Sequence, residues 1–209
     1  MYSRINLPAP DAAPLGAAGT VLNVPQGADI FSQGDACDVF FRLVSGAVRI
    51  CRYLGDGCRL IDDFYGEEDF FGLTLDDARL FSAEAVTDCV LVSYRRGAVL
   101  ALAETDGALA LQLFHIAMQG QARARRHALL LSRRSAGEKI AGFLLQQADG
   151  GREITLAMPR QDIGDYLGLT IETVSRSLHQ FERQGLVTIN GNRGLCLTAP
   201  AVLEQLAAS

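Results

Sequence analysis

Three polar residues near the C-terminal end of the chain, Glu172, Ser175 and Arg176, have types and spacing suited to contacts with DNA bases. Residues three and four apart lie on one face of a helix, so a helix here would present all three side chains together. Arginine can donate two hydrogen bonds to one guanine, and a glutamate carboxylate can accept one from the amino group of cytosine. Glu172 and Arg176 could equally form an ordinary surface ion pair. The surrounding elements must decide between these interpretations.

The surrounding sequence predicts two packed helices joined by a short turn. Gly164 allows the helices to approach closely, and Gly168 suits the left-handed backbone that ends a helix. Thr170 can cap the second helix with its hydroxyl, and Gly185 ends that helix. Five apolar residues fall at helical spacing and would form the shared core: Ile163, Leu167, Val174, Leu178 and Phe181. The pattern is typical of a helix-turn-helix that inserts one helix into the major groove, although a helical hairpin used only for protein contacts shares it.

A β-hairpin is predicted directly after the second helix. Residues 186–189 and 195–197 are mostly apolar, and the Asn190-Gly191-Asn192-Arg193-Gly194 segment between them suits a tight turn. A hairpin at this position is the wing of a winged helix, and Arg193 at its tip could reach a DNA phosphate. The candidate DNA-binding residues are Arg160, Thr170, Glu172, Thr173, Ser175, Arg176 and Arg193.

The residues before the winged helix divide into three segments. Residues 1–19 are rich in Ala, Pro and Gly and predict a flexible N-terminal arm. Residues 20–97 contain short runs of alternating apolar and polar residues with many glycines, which predict an antiparallel sandwich or barrel. Residues 98–134 lack proline and predict one long helix, over about 98–132. Residues 135–209 then hold the winged helix.

The long helix carries two apolar rows at alternating spacings of four and three residues. The first row contains Leu109, Leu113, Ile116, Gly120, Arg123, His127 and Leu130. The second row contains Ala110, Phe114, Ala117, Gln121, Ala124, Ala128 and Leu131. An apolar face this wide can cover the β-domain on one side and pair with a second copy on the other. We therefore predict a homodimer contact through Phe114, Ala117, Gln121, Ala124, Ala128 and Leu131; a single buried helix without a dimer is the alternative.

Composition and charge constrain the class of protein. The net charge is −5, but residues 101–135 carry +3, so any DNA-facing surface must be a local basic patch rather than a basic domain. No apolar run is long enough to span a bilayer, and no signal peptide is recognisable. These features predict a cytoplasmic protein without a membrane partner. The three histidines have no spacing typical of a metal site, so we predict neither a metal nor another cofactor.

The five cysteines are scattered without a CxxC pair, which in a reducing cytoplasm favours free thiols. Cys196 is a possible redox site. Its neighbours Leu195 and Leu197 would point into the core, and alternation along a strand would turn Cys196 outwards, towards solvent or DNA. Oxidation to an anionic acid there would repel DNA phosphates. An unreactive thiol is the alternative interpretation.

The stretch from Arg160 to Ile189, RQDIGDYLGLTIETVSRSLHQFERQGLVTI, closely resembles the winged helix of the CRP/FNR regulators. The order of β-segment, long helix and winged helix matches that family across nearly the whole chain. The resemblance implies an α+β fold with a cyclic-nucleotide-binding-type β-roll, a long dimerisation helix and a C-terminal winged helix-turn-helix. It also implies a non-enzymatic transcription activator that contacts RNA polymerase. The Glu172-Thr173-Val174-Ser175-Arg176 motif is similar to the FNR type, which implies a TTGAT-N-ATCAA-like palindrome.

The segment that would bind an effector departs from the best-known members of the family. Asp69-Phe70-Phe71-Gly72-Leu73 resembles the phosphate cassette of cAMP receptors, but those receptors have a glutamate after the glycine and an arginine before a serine. This chain has Leu73 and, before Ser82, Phe81, so we expect no cAMP binding. FNR itself holds an iron–sulfur cluster through clustered N-terminal cysteines, whereas the first cysteine here is Cys37. Phe81-Ser82-Ala83-Glu84-Ala85 is instead similar to the FixK subgroup, which uses neither device.

Two other functions fit parts of the sequence. A β-roll resembles a cupin, but metal cupins need several barrel histidines and residues 1–114 contain none, so an enzyme is disfavoured. The second is a regulator gated by haem or an organic effector in the apolar interior of the β-roll.

Overall fold

The computed structural model describes Leu15, residues 19–191 and residues 193–208, and divides them into a β-rich N-terminal part, a long helix and a C-terminal part. The N-terminal strands are β1 (Thr20–Val24), β2 (Asp29–Phe31), β3 (Val39–Ser45), β4 (Val48–Tyr53), β5 (Arg59–Tyr65), β6 (Phe70–Phe71), β7 (Ser82–Ala85) and β8 (Cys89–Arg95). Helices α1 (Arg96–Ala103) and α2 (Gly107–Leu131) follow. The C-terminal elements are α3 (Ala136–Ala148), β9 (Glu153–Thr155), α4 (Arg160–Leu167), α5 (Ile171–Arg183), β10 (Val187–Asn190), β11 (Gly194–Leu197) and α6 (Pro200–Ala208).

The N-terminal strands form two antiparallel sheets that pack face to face. One has the order β1-β8-β3-β6 and the other β2-β7-β4-β5. Phe41 and Leu43 of the first sheet and Val48 of the second are buried in the core between them. Neighbouring Phe40 points to the opposite face of its strand and joins a separate cluster with Tyr94 and α2. The expected antiparallel sandwich is thus confirmed, and strand β3 is apolar on both faces because α2 covers its outer side.

Different elements cover the two outer faces. Helices α1 and α2 pack on the first sheet, where Leu109 and Ile116 join Phe40 in one cluster. The C-terminal part packs on the second sheet, where Cys51 and Ile61 are fully buried in the same cluster as the core of the C-terminal helices. One apolar core therefore runs continuously from the β-roll into the C-terminal part.

The prediction of a single helix over residues 98–132 was wrong. Helix α1 ends at Ala103, and α2 begins only at Gly107. The side chain of Asp106 accepts hydrogen bonds from the backbone N–H groups of Ala108 and Leu109 and so caps α2. An aspartate followed by glycine is a recognisable start signal for a helix, but the uninterrupted apolar pattern concealed it.

The N-terminal arm lies mostly outside the described residues, but Leu15 corrects the expectation in part. Its side chain is 2% exposed and lies in the cluster formed by Phe40, Tyr94 and Val99. Burying a leucine stabilises a fold by about 1.5–3 kcal/mol, so this residue is held against the β-roll.

Most C-terminal elements match the sequence prediction. The helix expected at about 136–148 is α3, and the strand expected at Glu153 to Ala157 is the shorter β9. Strands β10 and β11 form the expected hairpin, which β9 extends into a three-stranded sheet. Helix α6 had not been predicted, and Leu203 anchors it in the core. Within the described ranges, no helix has the length and apolar character needed to cross a membrane.

Asp63 on β5 is a half-buried residue whose inaccessible carboxylate oxygen lacks a hydrogen-bond partner among the described residues. Its Oδ1 accepts a hydrogen bond from the N–H of Phe64 at 2.9 Å. Its Oδ2 has no hydrogen-bond partner among the described residues, and the Arg123 guanidinium is 3.8 Å away. Burial raises the pKa of Asp63 to about 6. The folded chain therefore binds this proton more tightly than the unfolded chain, whose aspartates have a pKa near ~3.9.

Asp63→Asn should stabilise the protein at neutral pH. Because the folded-state pKa is raised, the contribution of Asp63 to stability falls as pH rises from about 4 through about 6. Replacing the carboxylate should raise the free energy of unfolding by about 1–3 kcal/mol at pH 7.5, with a smaller gain at pH 5. Urea unfolding of both proteins from pH 5 to 8 measures this, with Glu67→Gln, which removes an exposed acid, as the control. A gain that does not change with pH would contradict it.

Candidate nucleic-acid interface

Helices α4 and α5 are joined by a turn with the predicted geometry. Gly168 ends α4 with φ 64°, a left-handed conformation that glycine adopts at little cost. A Cβ on Gly164 would lie 2.7 Å from the carbonyl oxygen of Leu169, so only glycine allows this close approach of the turn. The Thr170 hydroxyl accepts a hydrogen bond from the N–H of Thr173 and caps α5. These local contacts fix the angle between the two helices.

Helix α5 has one buried and one exposed face. Val174, Leu178 and Phe181 are buried against α3 and α4. Glu172 and Arg176 are exposed. The amphipathic pattern therefore anchors α5 firmly and leaves the face with the predicted base-reading side chains open to a partner.

The side chains on the exposed face are not paired as a simple ion pair. A hydrogen bond from its own backbone N–H, and a second from the Thr170 hydroxyl, lower the pKa of Glu172. The Arg176 guanidinium donates to the Thr173 hydroxyl at 3.4 Å, and the Thr173 and Thr170 hydroxyl oxygens are 3.1 Å apart. Among the described residues Glu172 and Arg176 form no salt bridge with each other. Ser175, half-buried, lies beside them.

A second group of candidate residues surrounds a cleft beside the wing. The cleft has a volume of about 370 Å³ and is lined by Met158, Pro159, Arg160 and Arg193. Pro159 is the N-cap of α4, and no side chain in the described part of the chain caps the N–H groups of the first turn. Two guanidinium groups beside a helix N-terminus form a local positive site suited to a phosphate.

Cys196 faces outwards on the wing, as the alternation predicted. Leu195 and Leu197 are buried and Cys196 is partly exposed. A hydrogen bond with Glu153 raises the pKa of the thiol, which favours the protonated form at neutral pH. Since the thiolate is the reactive species, this environment slows oxidation and favours the interpretation of an unreactive thiol.

The two apolar rows of α2 have different surroundings. Leu109, Leu113 and Ile116 of the first row are buried against the β-roll, and Leu130 is buried against the C-terminal part. All six residues of the predicted dimer contact are exposed, and the Phe114 side chain is 58% exposed. Three large apolar side chains beside this row are also exposed, and the sequence pattern had not assigned them to the dimer contact: Leu111, Met118 and Leu129. Leu111 and Met118 are seven residues apart and so lie on one face of a helix, which is the pattern in the sequence that could have identified them.

The interior of the β-roll is filled by aromatic rings. The ring of Phe71 lies 5.3 Å from that of Phe41 and 5.5 Å from that of Tyr65, and Phe31 stacks on Phe41 at 5.9 Å. The guanidinium of Arg79 lies 4.1 Å from the centre of the Phe31 ring. The sequence reasoning had not identified Arg79, because its partners are distant in the chain.

Arg79 lies in the segment that corresponds to the phosphate cassette. It is buried and donates hydrogen bonds to the carbonyl oxygens of Gly72 and Val39, while its Nε has no partner among the described residues. Leu73 and Phe81, the positions that differ from cAMP receptors, pack against apolar clusters. Leu73 and Phe81 therefore provide neither the ribose acceptor nor the phosphate-binding side chain that cAMP receptors have at these two positions.

This combination of a filled β-roll, a long helix with an exposed apolar row and a C-terminal winged helix defines a class of transcription regulator. Residues 21–106 match the family model of the cyclic nucleotide-binding domain, and residues 138–206 match that of the Crp-like helix-turn-helix domain. The chain belongs to the CRP/FNR family of transcription regulators and carries its DNA-binding helix-turn-helix.

Within that family the chain is similar to the FixK regulators. It is 39% identical to the nitrogen fixation regulation protein FixK of Azorhizobium caulinodans, over 91% of this chain and 80% of that protein. It is 36% identical to FixK of Rhizobium meliloti, over 93% of this chain and 90% of that protein. The structure of FixK2 from Bradyrhizobium japonicum superimposes with a TM-score of 0.86 at 33% identity and covers 92% of this chain and 98% of that one. The resemblance to the FixK subgroup is confirmed.

Proposed function

We propose that this protein binds a TTGAT-N-ATCAA-like palindrome as a homodimer and activates transcription, without cAMP and without an iron–sulfur cluster. The observation that carries the proposal is the exposed face of α5, where Glu172 and Arg176 stand free of each other on a rigidly anchored helix. Each recognition helix would enter the major groove of one half-site.

The proposed base contacts use the exposed side of α5. Arg176 would donate two hydrogen bonds to a guanine, and Glu172, with a lowered pKa, would be an ionised acceptor for a cytosine amino group. Ser175 would lie close enough to assist them. Thr170 and Thr173 hold Arg176 and the helix start in place.

The proposed backbone contacts lie on either side of these residues. Arg160 and Arg193, together with the N-terminus of α4, would hold one phosphate in the cleft beside the wing. Such contacts fix the register of the protein on DNA without selecting a sequence. They also explain how a chain with a net charge of −5 can bind DNA through a local patch.

The proposed homodimer uses the exposed row on α2. A monomer with Phe114, Leu111, Met118 and Leu129 in water would expose a continuous apolar strip. Pairing two copies of α2 along this strip would bury these side chains, and the alanines between them permit close approach of the helices. Activation is supported by relatives such as the transcriptional activatory protein AadR of Rhodopseudomonas palustris, 35% identical to this chain over 86% of its length and 78% of that protein. Contact with RNA polymerase would be the route to activation.

The ligand-independent part of the proposal rests on the β-roll. Its aromatic interior and the main-chain bonds of Arg79 stabilise the domain without an effector. The same packing argues against haem or a bulky organic effector between the sheets. Among the described residues no three cysteine, histidine or acidic side chains lie close enough to share a metal ion, and the Cys51 and Cys89 thiols are hydrogen-bonded to the Glu84 carboxylate and the Ala47 carbonyl.

A titration of purified protein against the palindrome tests this function. In air, the protein should bind the palindrome with the same affinity with and without cAMP. It should bind a scrambled duplex much more weakly. The experiment is repeated after peroxide treatment of the wild type and of Cys196→Ser. Dependence on cAMP or on anaerobic reconstitution would contradict the proposal. Peroxide sensitivity that disappears in Cys196→Ser would establish Cys196 as a redox site, and insensitivity would exclude it.

A further inference from the structure

Four charged side chains join the β-roll to α4, the first helix of the helix-turn-helix. The Asp162 carboxylate on α4 receives one hydrogen bond on each oxygen: Arg59 Nη2 donates to Oδ1 at 2.5 Å, and Arg49 Nη1 donates to Oδ2 at 2.8 Å. Arg59 Nε also donates to Asp165 Oδ2 at 2.8 Å. Arg49 and Arg59 lie on β4 and β5, more than a hundred residues before Asp162 in the chain. We call Arg49, Arg59, Asp162 and Asp165 the interdomain latch.

The latch is extended on the β-roll side by Glu84. Its Oε2 accepts a hydrogen bond from Arg49 Nε at 2.8 Å, and its Oε1 lies within hydrogen-bonding distance of the Tyr53 hydroxyl and the Cys51 thiol. Arg49 is therefore held on both sides and cannot swing away from Asp162 without losing Glu84. The arginine fork matches this arrangement because its donors lie in one rigid plane.

Burial makes the latch specific for one orientation of the two domains. Asp162 is only 1% exposed, and a buried carboxylate is strongly unfavourable unless it is paired and hydrogen-bonded. Both of its oxygens find donors only while α4 lies on the β4–β5 hairpin. The aromatic contact of Phe64 with Tyr166, at 5.4 Å between ring centres, would tolerate small rotations, whereas the two-sided carboxylate would not.

Other elements hold the C-terminal end of the same helix. His127 Nε2 of α2 donates to the carbonyl of Tyr166 at 2.7 Å, and the His127 ring stacks on the Tyr166 ring at 4.0 Å. Lys139 of α3 donates to the carbonyl of Leu167 at 3.1 Å. Helix α4 is thus fixed at both ends, and α5 shares its core. Glu172 and Arg176 remain exposed in this latched arrangement.

We propose that Arg49 and Arg59 are positioning residues for DNA binding. By bonding Asp162 and Asp165 they hold α4, and with it the recognition helix α5, at a fixed orientation to α2. In the homodimer proposed above, on which this inference rests, that orientation sets the distance and angle between the two recognition helices. Two half-sites about one helical turn apart can then be bound at once.

The latch should affect the palindrome and spare a single half-site. One half-site needs only the exposed face of α5, which the latch does not contact. The palindrome needs both recognition helices in register, and linking two binding events raises affinity by roughly 10²- to 10⁴-fold only when the geometry permits both. Loss of the fixed orientation therefore removes part of this gain.

The test compares variants of the full-length protein on two duplexes of equal length, one with the palindrome and one with a single half-site. Arg59→Gln should bind the palindrome at least about tenfold more weakly than wild type, with half-site affinity within about twofold. Arg59→Lys, which keeps the charge, should have a palindrome affinity between those of Arg59→Gln and the wild type. Asp165→Asn, a milder change that leaves Asp162 with both donors, should shift palindrome affinity less and in the same direction. The matched control is Arg42→Gln, which breaks a β-roll ion pair with Glu68 that does not touch the winged helix.

Each outcome decides between explanations. Selective loss on the palindrome, with the dimer intact by sedimentation and faster hydrogen exchange in α4, supports a positioning role. Palindrome affinity of Arg59→Gln within twofold of the control overturns it. Equal loss on both duplexes, or tighter binding, also overturns it, because the latch would then maintain the fold or restrain binding. Wild-type protein without preference for the palindrome would contradict the proposed function itself, independently of the variants.

Discussion

Ala124→Glu should convert the protein to a monomer and remove palindrome binding in the same step. Ala124 is exposed on the second apolar row of α2, where a partner copy would place its own Ala124 region close by. Two like charges would then meet in a dry interface, and an unpaired buried charge costs about 3–5 kcal/mol. This corresponds to roughly 10²-fold or more in the dimer dissociation constant. Sedimentation velocity and a band-shift titration measure the two effects, and Ala128→Glu should behave in the same way.

Gln119→Glu provides the control for the dimer prediction. Gln119 is exposed on α2 but lies outside the second row, so its variant carries the same new charge away from the proposed contact. It should remain a dimer and bind the palindrome as the wild type does. If Ala124→Glu sediments as a dimer and still binds, the dimer contact lies elsewhere.

Arg176→Ala should lose discrimination at one base pair in each half-site. The bidentate contact of an arginine with guanine contributes about 1–3 kcal/mol of discrimination, so about 5- to 150-fold should disappear at that position and little elsewhere. Among the described residues Arg176 is hydrogen-bonded to the Thr173 hydroxyl and to no charged group, so removal of the side chain leaves no buried charge. Affinity is measured on the palindrome and on duplexes with single symmetric substitutions.

Arg193→Ala is the matched comparison for Arg176→Ala. Arg193 lines the cleft beside the wing, and its proposed contact is a phosphate. Its loss should weaken all duplexes by a similar factor and reduce the slope of log affinity against log salt by about 1. An equal loss on matched and scrambled DNA for Arg176→Ala would assign that residue to the backbone and refute its role in base recognition.

The winged helix could be predicted from sequence because local physics determines it. Gly168 must adopt positive φ, Gly164 faces a backbone atom, and Thr170 caps the helix that follows it. Each of these requirements involves residues that lie within a few positions of one another in the sequence. The exposure of the second row of α2 also follows locally, since side chains three and four apart share a face, and its role as the dimer contact stays a prediction. The break before Gly107 was missed because apolar periodicity outweighed a single capping aspartate.

The interdomain contacts could not be predicted from local pattern. Asp162 and Asp165 have the spacing of ordinary surface acids on a helix, and nothing near them in sequence indicates that arginines more than a hundred residues earlier pair with them. Arg79 is similar, because its acceptors are backbone carbonyls on other segments. Only the folded arrangement of β4, β5 and α4 reveals these partners. The signal in the sequence is indirect: Ile163 and Tyr166 beside the acids are apolar, so this side of α4 had to meet another surface.

Selection of binding sites from a random DNA pool, with purified protein in air and no added ligand, tests recognition of DNA by an effector-free dimer. We expect enrichment of an inverted repeat of the TTGAT-N-ATCAA kind, with half-site centres about one helical turn apart. The same pool should yield no enrichment with Ala124→Glu, and with Arg176→Ala the enriched sites should lose their base preference at one position of each half-site. No enriched sequence with the wild type, or a motif without two-fold symmetry, would contradict a dimer that recognises DNA through α5 without an effector.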